Sequence, residues 1–167
     1  MKKQIEKAAK IITASFKNGG KLLICGNGGS AADAQHIAAE FIGRFKKERK
    51  ALPAIALTTN TSILTAIAND YGYDVVFKRQ VEALGKKGDV LLAISTSGNA
   101  KNVLEAVKFA NKIGVKTIAL TGGTGGELAK LANFSIIAVF SDTPRIQESH
   151  VAIYHTLCEL IENEYAR

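Results

Sequence analysis

Residues 21–41 read KLLICGNGGSAADAQHIAAEF. An apolar run of strand length, 21–25, passes through a glycine-rich turn into a segment of helical period. The run lacks the polar alternation of a strand with one wet face, so it reads as a strand covered on both sides. Runs of the same kind recur at 53–58, 90–95, 116–120 and 134–140. Helical segments lie between them at 30–45, 62–68, 75–84, 99–113 and 127–132, with another at 5–16 before the sheet and one at 145–165 after it. This alternation predicts an α/β fold of three layers, a doubly wound five-stranded parallel sheet flanked by helices. No linker, repeat or low-complexity segment interrupts 1–167, so a single domain is expected.

Composition narrows the class. The 167 residues are 47% hydrophobic, enough for a real core, and disorder is excluded. No apolar run reaches the ~20 residues of a membrane-spanning helix, and charges interrupt the first ten residues, which argues against a signal peptide. Cys25 and Cys158 lie far apart inside apolar segments, which fits a reducing compartment and a cytoplasmic protein rather than a disulfide framework. The net charge is +7, with one dense cluster at Arg44, Lys46, Lys47, Arg49 and Lys50. Such a cluster reads as a solvated helix end before it reads as a nucleic-acid patch, and the basic balance equally favours a small anionic substrate.

In a doubly wound sheet, ligands bind outside the carboxyl ends of the strands. Those ends are small and polar here: Gly26-Asn27-Gly28-Gly29-Ser30, Thr58-Thr59-Asn60, Ser95-Thr96-Ser97-Gly98-Asn99 and Thr121-Gly122-Gly123-Thr124-Gly125-Gly126. The turn at 95–99 sets three hydroxyls and a glycine between a strand and a helix N-terminus, where free backbone N–H groups favour an anion; a plain capping turn uses the same residue types. The GxxxxGK[ST] pattern is absent, which removes P-loop ATP hydrolysis. The first loop matches G-x-G-x-x-A, but the second strand ends without the acidic residue that would hold a dinucleotide ribose, so a nicotinamide enzyme loses most of its weight.

Two segments carry titratable chemistry. His36 and Glu40 stand four apart on one helical face, as a surface pair or as partners around a metal or ligand. On the last helix, Gln147, Val151 and His155 fall on one line, whereas His150 points away from it. His155 reads either as a satisfied core histidine or as the imidazole that a proton shuttle beside a carboxylate requires.

Taken together, GNGGSAADAQHIAAEFIGRF, TAIANDYG, GDVLLAISTSGN, ALTGGTGG and RIQESHVAIYH resemble the phosphoheptose isomerase family of the sugar-isomerase (SIS) fold over almost the whole chain. The resemblance implies a cytoplasmic homotetramer that interconverts sedoheptulose 7-phosphate and D-glycero-D-manno-heptose 7-phosphate on the way to lipopolysaccharide or surface-glycan heptose. It implies a zinc ion near the substrate in pockets shared between subunits, and no nucleotide cofactor. By position, Glu40 matches the catalytic base and His155 its partner acid/base. His36, Glu40, Gln147 and His155 match zinc ligands. Asn27, Gly28, Gly29, Glu40, Asn69, Asp70 and Gln147 match substrate-contacting positions, and Ser95, Thr96 and Ser97 the phosphate loop. One departure is Ala100, where the family commonly has Ser. The apolar faces of the first and last helices are compatible with tetramerisation. A related branch of non-catalytic tetramers binds the bacterial replication initiator; as that branch is described, it lacks the acid and imidazole and has Arg at the position of Ser97, whereas this chain keeps Glu40, His155 and Ser97. A regulator that senses a sugar phosphate without turnover is the third reading.

Overall fold

The computed structural model describes residues 1–166. Seven helices and five strands follow in chain order as α1 (Lys2–Lys17), β1 (Leu22–Cys25), α2 (Gly29–Ile42), β2 (Ala54–Ala56), α3 (Thr61–Tyr71), a 3-10 turn (Tyr73–Val75), α4 (Val76–Leu84), β3 (Val90–Ser95), α5 (Lys101–Lys112), β4 (Lys116–Gly122), α6 (Gly126–Leu131), β5 (Phe134–Ala138) and α7 (Thr143–Asn163). The strands form one all-parallel sheet in the order β2-β1-β3-β4-β5.

Period-two alternation divides the apolar strand residues between two cores. Leu22, Ile24, Leu92, Ile94 and Leu120 face one layer with Ile12 of α1, Ile37 and Phe41 of α2, and Ile153 and Leu157 of α7. Leu23, Cys25, Leu91 and Ala93 face the other with Phe77 of α4 and Val103 and Val107 of α5. Every residue of β1 and β3 is buried, as expected for central strands with helices on both faces. The apolar faces of α1 and α7 join this chain's own core. α3 fully buries none of its residues: Leu64, Ile67 and Ala68 pack on the second core, while Ile63 and Tyr71 stay exposed.

Most element boundaries shift by a few residues from the sequence reading, and three of the shifts bear on the site and its surroundings. α5 starts at Lys101 rather than Asn99, because Gly98 turns through φ +67° and Asn99 spends its side chain on the carbonyl of Ser97 and the N–H of Glu127. β5 stops at Ala138, and Val139 and Phe140 leave the sheet exposed. α2 ends at Ile42 because the chain beyond it folds back as a strap. In that strap the Glu162 carboxylate accepts the backbone N–H groups of Phe45, Lys46 and Lys47 at 2.8–2.9 Å. The Arg49 guanidinium donates to the carbonyls of Glu40, Phe41, Gly43 and Lys50, capping the end of α2. The basic cluster is therefore not a uniform solvated face: Arg44 and Lys46 are exposed, but the Arg49 side chain is 1% exposed, turned inward by the orphan carbonyls of a helix end. Burial pushes the Glu162 carboxyl up, but the three amide bonds and Arg49 outweigh it and hold it below its usual range.

Candidate active site

The chain leaves β1 toward β2 on one side and later returns to β3 on the other, so the loops after β1 and β3 diverge and open a crevice between them. A cavity of about 190 Å³ occupies that crevice, lined by Asn27, Ser30, Ile94, Ser95, Thr96, Ser97 and Ala100. Three expectations meet here: Asn27 and the 95–97 hydroxyls share one pocket, and it lies at the start of a helix. The N-cap of α5 is Ala100, which offers no capping side chain; the Val103 N–H is taken by Asn102 Oδ1 and the Ala100 carbonyl, and the amides of Lys101 and Asn102 stay available to an anion. Ser30, which the sequence reading treated only as the opener of a helix, also lines the cavity and is buried. Its signal was its place in the first turn of α2 behind the glycine run. Asn102 was missed as well; it is buried on α5 and pairs with Asn27 through both amides. Nothing in its spacing marked it.

Two glycines bring other groups close around this crevice, and only the first is obligatory. A side chain on Gly98 would enter the backbone of Gly125, and its positive φ disfavours any other residue. A methyl group on Gly29 would overlap the Gln147 amide, so Gln147 lies directly on the start of α2.

The second constellation sits further along α2. His36 Nε2 lies 2.9 Å from Glu40 Oε1, and His36 Nδ1 lies 3.0 Å from the Tyr154 hydroxyl. The ring of His155 stacks edge-on to that of His36 at 5.1 Å between centroids. One donor atom each from His36, Glu40 and His155 fall within 4.8 Å of one another. Residues from distant parts of the sequence thus converge: the spacing of four paired His36 with Glu40, and the packing of α7 on α2 adds His155. Gln147 is two turns before His155 on α7, about 12 Å of helix rise away, and lies against Gly29 rather than in this group. Asn69 and Asp70 are exposed at the end of α3, bonded to each other at 2.9 Å. His150 turns inward as expected, fully buried and bonded to the Thr121 carbonyl, with burial holding it below its ordinary range. Burial pushes the thiols of Cys25 and Cys158 up to about 12, which leaves both inert.

The donor set suits a borderline metal ion such as zinc. His36 Nδ1 bonds the Tyr154 hydroxyl, which also lies 3.4 Å from Asp33 Oδ1, and this holds the ring with Nε2 facing the Glu40 carboxylate at 2.9 Å. A proton or a metal cation can join an imidazole nitrogen and a carboxylate oxygen set face to face in this way. Two imidazoles and a carboxylate are common zinc ligands, and one ligand atom from each already lies within 4.8 Å of the others.

The SIS domain family model matches residues 1–122. The phosphoheptose isomerase of Aliarcobacter butzleri is 59% identical over 98% of this chain and 87% of that protein. The chain belongs to the phosphoheptose isomerases of the SIS domain family. This isomerase superposes on the phosphoheptose isomerase structure from Neisseria gonorrhoeae with a TM-score of 0.91 at 49% identity, covering 96% of this chain and 86% of that one. The Francisella tularensis phosphoheptose isomerase gives a TM-score of 0.93 at 43% identity over 96% and 85%. The enzyme is therefore an intramolecular aldose–ketose isomerase with a five-stranded parallel SIS fold. Among the described residues, no helix is long and apolar enough to cross a membrane.

Proposed function

We propose that this isomerase interconverts sedoheptulose 7-phosphate and D-glycero-D-manno-heptose 7-phosphate, supplying heptose for lipopolysaccharide or surface glycans. The observation that carries the reading is the convergence of His36, Glu40 and His155 in a molecule whose crevice beyond β1 and β3 is lined by hydroxyls at a helix start. The cavity lined by Asn27, Ser30 and the 95–97 hydroxyls takes the phosphate. Glu40 removes the proton from C1 of the ketose, and the C–H electron pair becomes the C1–C2 double bond as the C2 oxygen takes up charge. His155 moves the proton between the two oxygens, so that the carbonyl forms at C1 while C2 is reprotonated from the carboxyl of Glu40. His36, Glu40 and His155 would hold a zinc ion, which would supply Lewis-acid stabilisation of the enediolate oxygen; Gln147, against Gly29 at the start of α2, lies outside that group in one copy of the chain.

A second copy of the chain completes the site. Ser30, which lines the phosphate cavity, and Glu40 stand ten residues apart on α2, about 15 Å of helix rise, and about 10 Å separates phosphorus from C1 in a fully stretched heptose phosphate, so one copy spans both only with ligand and side chains extended. A phosphate in the cavity of one copy and a base from its neighbour need no such stretch. The exposed Ile63 and Tyr71 of α3, the helix that also carries Asn69 and Asp70, give the second copy a place to dock in a homotetramer. We place the enzyme in the cytoplasm, in keeping with its two buried unpaired cysteines.

A scaffold for the replication initiator, or a regulator that only senses a sugar phosphate, has no need of a carboxylate and two imidazoles drawn together. Incubation with sedoheptulose 7-phosphate, followed by NMR, tests the proposal: the aldose signal grows, and binding without turnover refutes it. Titration with zinc against a chromophoric chelator tests the metal site, and His36→Ala is expected to abolish tight binding.

A further inference from the structure

The buried amide pair behind the phosphate cavity has an orientation that can be assigned. Asn102 Oδ1 accepts the backbone N–H of Val103 at 3.0 Å, and a backbone N–H can only donate. This fixes which end of the Asn102 amide is oxygen. Its Nδ2 then donates to Asn27 Oδ1 at 2.9 Å, and Asn27 Nδ2 donates back to Asn102 Oδ1 at 2.9 Å. The Tyr73 hydroxyl donates to the same Asn27 oxygen at 3.3 Å. Both acceptor positions of Asn27 are thereby filled, and one of its two amide hydrogens is used. What remains is a single N–H on a residue that lines the cavity.

We propose that Asn102 is a positioning residue, 4% exposed on α5, which locks Asn27 so that it presents one N–H and no acceptor to the ligand. The cavity at that point selects an acceptor, a phosphate or hydroxyl oxygen, and rejects a donor. This rests on the reading of the cavity as the sugar-phosphate site. Without the lock the Asn27 amide is free to flip and offer its oxygen to an anion, which repels it. The burial of Asn102 follows from this role: its amide is satisfied by Asn27 and its own helix, and it never touches the ligand.

Asn102→Asp keeps the shape and the acceptors but deletes the donor that holds the Asn27 oxygen. KM for sedoheptulose 7-phosphate is expected to rise about tenfold, the value of one hydrogen bond to a charged group, with kcat changed far less. In an Asn27→Ala background the same substitution is expected to leave KM where Asn27→Ala alone puts it. Additive effects of the two substitutions on KM would overturn the proposal, since a merely structural residue acts whatever stands at position 27. A second readout needs no substrate. In ligand-free protein labelled with ¹⁵N, the side-chain amide of Asn27, assigned by its loss in Asn27→Ala, shows one hydrogen protected from solvent exchange and one exchanging. In Asn102→Ala, which removes the acceptor of the Asn27 amide as well as the donor, both exchange; an unaltered Asn27 amide refutes the lock. Should the protein fail to turn over sedoheptulose 7-phosphate, the reading of the site falls while the amide signature still decides the positioning. If Asn102→Asp does not fold, Asn102→Ala serves for the same cycle.

Discussion

Replacing Glu162 by Gln tests the strap that ends α2. The carboxylate oxygens accept three backbone N–H groups and lie 3.5 Å from Arg49 Nε, with the two side chains 1% and 2% exposed. Glutamine retains one oxygen. Whichever way its amide turns, its NH₂ meets at least one backbone N–H, and the buried guanidinium loses this counter-charge. Removing one member of a buried pair costs about 3–5 kcal/mol; Arg49 keeps its four carbonyl bonds, which places the loss near ~3 kcal/mol. For a chain of this size that corresponds to a fall in Tm of roughly 6–12 °C. Circular dichroism melts at one fixed protein concentration measure it, because assembly would make Tm depend on concentration. Glu164→Gln is the control: its partner Lys17 is exposed, and the midpoint is expected to stay put. The folded Glu162 carboxyl lies below its usual range, so its stabilisation is full above the unfolded value of about 4.3 and is lost as pH falls through the folded value. The gap between wild type and Glu162→Gln therefore narrows on acidification below about pH 4. Equal melting at pH 7 would refute the assignment of the strap to this carboxylate.

Glu40→Gln is expected to abolish isomerisation while retaining the fold and measurable sedoheptulose 7-phosphate binding by calorimetry; an active variant would remove Glu40 as the base. Ala100→Ser puts a hydroxyl at an uncapped helix start that also lines the phosphate cavity. It is expected to gain about 1 kcal/mol of stability in urea denaturation and to lower KM, and a rise in KM would show that the hydroxyl crowds the phosphate. Gly29→Ala drives a methyl group into the Gln147 amide, which can swing aside. Stability is expected to change by less than about 1 kcal/mol while kcat/KM falls; unchanged kinetics would separate Gln147 from the ligand.

The layers of the fold were legible because a strand buried on both faces has no polar alternation, and β1 and β3 kept that pattern from end to end. The ends of elements were less so. α2 carries helical period to Phe45, yet Arg49 and Glu162 end it at Ile42, and a contact between residues so distant in sequence leaves no periodic trace. The site divides in the same way. His36 and Glu40 could be paired from a spacing of four, since that is a property of one helix.

By itself the sequence determined the parallel sheet, the polar loops at its carboxyl ends and the residue types able to move a proton. Only the tertiary structure decided that His155 meets His36, that Ser30 joins the 95–97 turn around one cavity, and that Asn102 holds Asn27. Periodicity records which face of an element is apolar, and that is local. Which polar groups share a face of the folded molecule depends on how α2, α5 and α7 pack on the sheet, and that is set by the complementary shapes of two cores rather than by any one segment.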